Sequence, residues 1–196
     1  MVAGGTEARS DGRDASAPAP ASTSPRPALS HEAFTALYEA QFGFIVNTLR
    51  RLGVRESDLE DVAHELFLAV HRQWGSYDDA RPLRAWLFGF AFRAAAAYGR
   101  LARHRSEEIR EDHVADDAAH PEAQLEARQK REMVLRALDA LPMDRRSVFV
   151  SHELEGLPIP EVAACLGIPL NTAYSRLRIA RGEFNTAIRA LIGGSE

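Results

Sequence analysis

The chain has 196 residues, 45% of them hydrophobic and 27% charged, with a formal net charge of −4 at pH 7. These numbers fit a soluble protein of one or two small domains, and they exclude a membrane-spanning protein because no apolar run approaches the ~18 residues that cross a bilayer. The single cysteine, Cys165, excludes an internal disulfide, and one thiol cannot build a structural zinc site.

Residues 1–29 are rich in Ala, Pro, Ser and Gly and contain almost no large apolar side chain. Such a segment cannot bury enough surface to offset its ordering entropy, which predicts a disordered tail. The segment also lacks the basic-then-apolar order of a signal peptide. We therefore expect a cytoplasmic protein without membrane insertion.

Three helices are predicted within residues 30–105. Apolar residues recur at three- and four-residue intervals from Phe34 to Leu52, from Leu59 to Trp74 and from Leu83 to Leu101. A glycine directly follows each of the first two runs, as it follows many helices. We expect the three helices to pack as one small bundle.

The second of these helices is acidic. Asp58, Asp61 and Glu65 lie on it, and Phe67 and Leu68 are expected to fall partly off the stripe that faces the core. Acids beside exposed apolar residues favour a protein interface. The alternative is that these acids only solvate a helix face.

The third helix is basic, with six arginines and no carboxylate between Arg81 and Arg105. Local potential rather than net charge attracts a polyanion, so the overall charge of −4 does not exclude DNA binding. Trp86 and Phe90 fit the core, whereas other aromatic residues lie around the helix from them. Arginine side chains bind the phosphate backbone of DNA, and aromatic rings stack on its exposed bases. The stacking contributes about 1–3 kcal/mol of binding free energy per base. The candidates for single-stranded DNA are Arg84, Phe88, Phe92, Arg93 and Arg100. The alternative is that Phe88 and Phe92 pack against another helix.

Residues 106–121 lose the periodicity and accumulate acids, which predicts a flexible acidic linker. Helical periodicity resumes from Leu125 to Leu141, and shorter helices are predicted near 148–154, 160–166 and 171–188. No segment alternates as a strand does. The predicted fold is all-α, with two small helical domains, and residues 122–196 form the second of them.

The second domain contains a predicted helix-turn-helix. Val162, Ala163 and Leu166 form the inner face of its first helix, Gly167 ends that helix in a left-handed conformation, and Asn171 is placed to cap the next. Polar residues at the start of that next helix are placed to touch base edges and phosphates. They are Asn171, Thr172, Tyr174, Ser175, Arg176 and Arg178. The alternative is a plain helical hairpin used for protein contacts.

Motifs in both predicted domains resemble one family. In the second domain they are Leu141-Pro142, Arg145-Arg146, Glu155-Gly156-Leu157-Pro158, Glu161-Val162-Ala163 and Asn171-Thr172-Ala173-Tyr174-Ser175-Arg176-Leu177. In the first domain they are Asp58-Leu59-Glu60-Asp61-Val62, Glu65-Leu66-Phe67 and Arg84-Ala85-Trp86-Leu87-Phe88. Over roughly residues 31–190 the chain resembles bacterial sigma factors, most closely the two-domain extracytoplasmic-function group.

The resemblance implies a non-enzymatic subunit that binds core RNA polymerase and promoter DNA. Residues 61–74 would dock on the clamp helices of the largest polymerase subunit, with Asp58, Asp61, Glu65, Phe67 and Leu68 as candidate contacts. The arginine-rich helix would open the promoter near its minus-ten element, and the helix-turn-helix would read the minus-thirty-five element. An anti-sigma partner is implied as well.

A stand-alone helix-turn-helix regulator is the alternative reading, although it would need neither the acidic nor the arginine-rich helix. An enzyme is not indicated, because the sequence contains no phosphate loop, nucleophile elbow or metal-ligand spacing, and no cofactor is expected.

Five positions depart from the family pattern. Arg93 and Ala97 stand where Asn and Asp are frequent, His64 replaces a frequent Gln, and Tyr174 occupies a commonly basic position. Pro158 also stands where a Ser cap is usual, which removes a cap worth roughly 1 kcal/mol. The promoter preference therefore does not follow from the resemblance.

Overall fold

The structure is a computed structural model that describes residues 29–106 and 122–193. These two ranges contain helices and no strand, which confirms the all-α prediction with two small helical domains. The helices are α1 (His31–Arg51), α2 (Leu59–Arg72), α3 (Leu83–Ser106), α4 (Glu122–Asp139), α5 (Met143–Phe149), α6 (Ile159–Leu166) and α7 (Leu170–Gly193). The predicted disordered tail and flexible linker lie outside the described residues.

The first domain is a bundle of α1, α2 and α3. Ser30 begins α1 as its N-cap, and its hydroxyl oxygen accepts a hydrogen bond of 3.2 Å from the Ala33 backbone N–H. Each helix packs against the other two, and Ile45, Leu49 and Val70 are fully excluded from solvent. Burial of this kind rather than helix propensity supplies most of the stability of helices in proteins.

The second domain contains α4 to α7. Helix α5 continues into a π-helical turn, Val150–Leu154, and α7 packs against α4, α5 and α6. The Phe149 and Phe184 rings stack across the α5–α7 contact with centroids 4.6 Å apart. In the described part of the chain, no helix is both long enough and apolar enough to cross a bilayer.

Arg146 joins the end of α1 to the second domain. Its guanidinium donates hydrogen bonds to the Leu52 carbonyl at 3.3 Å, to the Asp139 carboxylate at 2.9 Å and to the Leu141 carbonyl. Burial lowers the pKa of Arg146, although Asp139 opposes the effect. Gly53 has a φ of 95°, and a Cβ there would lie 2.5 Å from Arg146 Nη1. The positive φ favours glycine at this position, and a larger residue would also displace the Arg146 guanidinium.

Candidate nucleic-acid interface

The turn between α6 and α7 has the geometry expected of a helix-turn-helix. Gly167 ends α6 in the left-handed conformation, with φ 66° and ψ 36°. The Ile168 backbone N–H donates to the Ala163 carbonyl at 3.0 Å, which satisfies the end of the helix. The prediction that Asn171 caps the second helix is wrong, because α7 begins at Leu170 and Asn171 lies inside its first turn.

The start of α7 presents a polar surface, which we call the recognition head. Ala173 and Leu177 are buried against the domain core, and the opposite side of the helix faces solvent. Tyr174 is 53% exposed. Of the six candidate contacts, four are exposed (Asn171, Tyr174, Ser175, Arg178) and two are half-buried (Thr172, Arg176).

Arg176 is held in place by the first turn of α5. Its Nε lies 3.3 Å from an Asp144 carboxylate oxygen, and its side chain keeps 30% of its exposure. This ion pair restricts the directions in which the Arg176 guanidinium can point. No local sequence pattern marks this pair, because Asp144 lies in another helix.

Helix α3 brings its arginines to the surface but not all of its aromatic residues. Arg84, Arg93 and Arg100 are exposed, and Phe92 is half-buried. Phe88 is 0% exposed, so the prediction that its ring faces DNA is wrong for this conformation, and the alternative of a core residue applies. The physical reason is that α3 packs against α1 and α2 and also against α6 of the second domain.

Two of the α3 arginines lie over aromatic rings. The Arg93 guanidinium carbon is 4.6 Å from the centre of the Phe90 ring, and that of Arg84 is 5.1 Å from the Phe44 ring. Such cation–π contacts hold an exposed guanidinium close to the protein surface. Both arginines are exposed to solvent.

A row of aromatic rings follows α2 and leads into α3. The Trp74 and Tyr77 centroids are 5.4 Å apart, those of Tyr77 and Trp86 5.1 Å, and those of Trp86 and Phe90 4.8 Å. The first three of these residues are partly exposed. The helical repeat predicts core positions for Trp86 and Phe90 but says nothing of Tyr77, which lies outside it.

Helix α2 presents its acids as expected but not Phe67. Asp61 and Glu65 are exposed, and Leu68 is 52% exposed. Phe67 is only 1% exposed, and its ring contacts that of Tyr38 at 4.7 Å. The expectation that Phe67 falls off the core stripe is therefore wrong, because α1 covers the side of α2 on which it lies.

Asp58 is engaged inside the first domain. The Tyr98 hydroxyl of α3 donates a hydrogen bond to its carboxylate at 2.5 Å. Burial and this bond raise the pKa of Tyr98, so the phenol stays protonated and the bond is kept. Tyr98 also lines a groove of about 330 Å³ between α2 and α3, together with Glu65, Phe90 and Leu101.

The two domains contact each other through ion pairs that sequence analysis did not identify. Arg51 of α1 binds the Glu155 carboxylate at 2.5 Å, and Thr48 donates to the same oxygen at 3.2 Å. Arg81 donates from two nitrogens to one Glu161 oxygen, at 3.0 and 3.2 Å. Nothing local in the sequence marks these pairs, since each joins residues at least 80 positions apart.

These features together define a class of protein. A helix-turn-helix with an exposed polar head is joined to a helical bundle that carries one acidic and one arginine-rich helix. No group of three or more His, Cys, Asp or Glu within the described ranges could hold a metal ion. The class is a DNA-binding transcription factor with a second, distinct interaction domain.

Family comparisons match both domains in this order. The Sigma-70 region 2 model matches residues 37–105, and the Sigma-70, region 4 model matches residues 131–183. The RNA polymerase sigma factor CnrH of Cupriavidus metallidurans is 28% identical over 155 residues, which are 74% of this chain and 81% of CnrH. The ECF RNA polymerase sigma-E factor of Escherichia coli K12 is 27% identical over 149 residues, 71% of this chain and 78% of that protein.

Two solved structures share the fold. CnrH in complex with the cytosolic domain of CnrY has a TM-score of 0.60 and 24% identity, and the match covers 82% of this chain and 90% of that one. The sigma factor RpoE in complex with the anti-sigma factor NepR from Bartonella quintana has a TM-score of 0.64 and 18% identity, covering 81% and 98%.

The chain belongs to the sigma-70 family and is a sigma factor of the extracytoplasmic-function group. It binds core RNA polymerase, directs promoter recognition and transcription initiation, and is not an enzyme. The reading as a stand-alone regulator is not favoured, because the Sigma-70 region 2 model matches residues 37–105 of the N-terminal bundle.

Proposed function

We propose that this sigma factor uses three surfaces: the recognition head for the minus-thirty-five element, the α3 arginines for the minus-ten element, and the exposed acids of α2 for polymerase. The observation that carries the proposal is the placement of the recognition head. Its buried side is apolar and its exposed side is polar and basic, at the end of the helix that enters a major groove in this motif.

On the recognition head, Arg176 is the leading contact for a base or a phosphate. A guanidinium fixed by Asp144 presents its remaining donors in one geometry, as bidentate recognition of guanine requires. Thr172 and Ser175 support it from neighbouring positions. Tyr174, with about half of its surface exposed, offers a ring where relatives of this family often carry a cation.

On α3, we assign contacts with the melted strand to Arg84, Arg93, Arg100 and Phe92. The exposed guanidiniums supply the charge that holds a single-stranded backbone. Trp74 and Tyr77 extend this surface with partly exposed rings, on which unpaired bases can stack.

On α2, Asp61 and Glu65 are placed to meet basic residues of the polymerase, and Leu68 adds an apolar contact beside them. One helical turn separates the two acids, so both point to the same side of α2. A complementary charge pattern of this kind raises the rate of association and fixes the docking register.

Replacing Asp61 with Asn and Glu65 with Gln in one variant is expected to weaken binding to core polymerase about three- to tenfold, since two exposed charge contacts are lost. Biolayer interferometry with immobilised core polymerase measures the effect. Glu60→Gln removes an exposed acid of the same helix on another face and should leave the affinity unchanged. Equal affinities of the double variant and wild type would reject this docking surface.

We also propose that a protein partner holds this sigma factor inactive in the cytoplasm. RpoE of Bartonella quintana has been solved with an anti-sigma factor, and CnrH with the cytosolic domain of CnrY. The apolar groove between α2 and α3, with Leu101 63% exposed at its edge, is a suitable surface for such a partner. Affinity purification of the tagged chain from its host tests for a stoichiometric partner.

A further inference from the structure

Two ion pairs, Arg51–Glu155 and Arg81–Glu161, join the two domains, and we call them together the latch. Glu155 is only 8% exposed although it is charged, and its oxygen receives both the Arg51 guanidinium and the Thr48 hydroxyl. A carboxylate so buried is stabilised only while these partners stay in place. Arg81 and Glu161 form a second pair, which is partly exposed at 37% and 27%.

The same contact covers the middle of α3. Gly89 of α3 lies against Cys165 of α6, so closely that a Cβ on Gly89 would be 3.2 Å from the Cys165 carbonyl oxygen. Phe88 and Phe90 on either side of this glycine are buried. Arg81, at the start of the arginine-rich stretch, is bound to the Glu161 carboxylate.

The closed arrangement is too small to read a promoter. The minus-ten and minus-thirty-five elements lie about 25 base pairs apart, which is about 85 Å along B-DNA. A compact unit of about 150 residues has a radius of gyration near 15 Å, so its ends are about 40 Å apart. Residues 107–121 can span at most about 50 Å when extended, which is enough to let the domains separate.

We propose that Glu155 and Glu161 hold this sigma factor in an intramolecular closed conformation, in which region 4 covers region 2. Promoter binding is prevented in this conformation until the Arg51–Glu155 and Arg81–Glu161 pairs break. The proposal rests on the proposed function for its consequence, but the latch itself requires neither polymerase nor DNA. Polymerase, promoter phosphates or salt open the latch by competing for its charges.

Cys165 provides a native reporter of opening. It is the only cysteine of the chain and lies in the covered contact. Burial raises the pKa of its thiol to about 11, so the closed form contains little reactive thiolate. Separation of the domains exposes this side of α6, and labelling by a thiol reagent such as dithionitrobenzoate then becomes faster.

The test uses the full chain with Glu155→Gln and Glu161→Gln combined. We expect the Cys165 labelling rate to rise about three- to tenfold and the radius of gyration from small-angle scattering to increase. The matched control combines Glu153→Gln and Glu183→Gln, which removes two pairs, with Arg181 and Arg145, from inside region 4. The control should keep the wild-type rate and size. No difference between the two variants would overturn the latch.

A charge swap separates the latch from simple loss of stability. Arg81→Glu alone should open the chain by placing two carboxylates together, and adding Glu161→Arg should restore slow labelling and the compact size. If the swapped pair labels as fast as the single variant, the latch is wrong. If it restores closure but the chain never supports transcription, the latch stands and the proposed function fails.

Discussion

Replacing Phe67 with alanine is expected to lower the free energy of unfolding by about 3–5 kcal/mol, the usual cost of removing a buried aromatic side chain. Phe67 is 1% exposed, and its ring packs against Tyr38 at 4.7 Å and against Phe42 at 6.4 Å. Its removal leaves a cavity where α1 meets α2. Urea denaturation followed by circular dichroism measures the change.

The adjacent residue is the matched control. Leu68 is 52% exposed, so Leu68→Ala should change stability by no more than about 0.5 kcal/mol while weakening polymerase binding. The pair of variants distinguishes a core residue from an interface residue on the same helix. A Phe67→Ala protein as stable as wild type, with reduced affinity for polymerase, would contradict the structure and restore the interpretation of Phe67 as a contact.

Replacing Arg176 with alanine is expected to weaken binding to the cognate minus-thirty-five element by about 1–3 kcal/mol, the typical cost of losing one good base contact. The effect has two parts, because the substitution removes the donors and also frees Asp144, whose carboxylate then faces the DNA uncompensated. Fluorescence anisotropy with a labelled duplex, at one fixed salt concentration, measures it.

Arg189 is the control for charge alone. It is an exposed arginine of the same helix but lies more than three turns beyond Arg176. Arg189→Ala should therefore change the affinity for specific and unrelated duplexes by the same small amount. If Arg176→Ala and Arg189→Ala lower the affinity for cognate DNA equally, Arg176 contributes only non-specific attraction and leaves the list of specific contacts.

The helices could be predicted from the sequence because apolar residues recur at three- and four-residue intervals along the side of each helix that faces the core. The predicted starts and ends of α1, α2 and α3 agree with the structure to within a few residues. Phe67 was misplaced because α2 is covered from two directions, by α1 and α3, so its buried stripe is wide enough to include both Leu66 and Phe67.

The helical pattern of α3 shows that it has a second apolar face but does not show what covers that face. The sequence showed more aromatic residues than one core face needs, and either DNA or another helix could cover the surplus. In the structure α3 packs against α1, α2 and α6, and Phe88 is buried. Pairs such as Arg51–Glu155 join positions 104 residues apart, and no local pattern encodes which arginine meets which carboxylate.

The ion pair between Arg176 and Asp144 could not be predicted from the sequence for the same reason. Arg176 could be named from its position in the motif, whereas Asp144 belongs to the first turn of α5 and only the packing of α5 on α7 brings the two together. The helix-turn-helix itself followed from local chemistry, since Gly167 alone suits the left-handed end of α6.

The most direct test of the central claim is run-off transcription by core polymerase on genomic fragments selected with the reconstituted complex. We predict a transcript that begins at a fixed distance from the selected element, appears only when this chain is present, and is lost with Arg176→Ala. DNA binding by the chain with no dependent transcript from any selected fragment would contradict the assignment as a sigma factor and favour a stand-alone regulator.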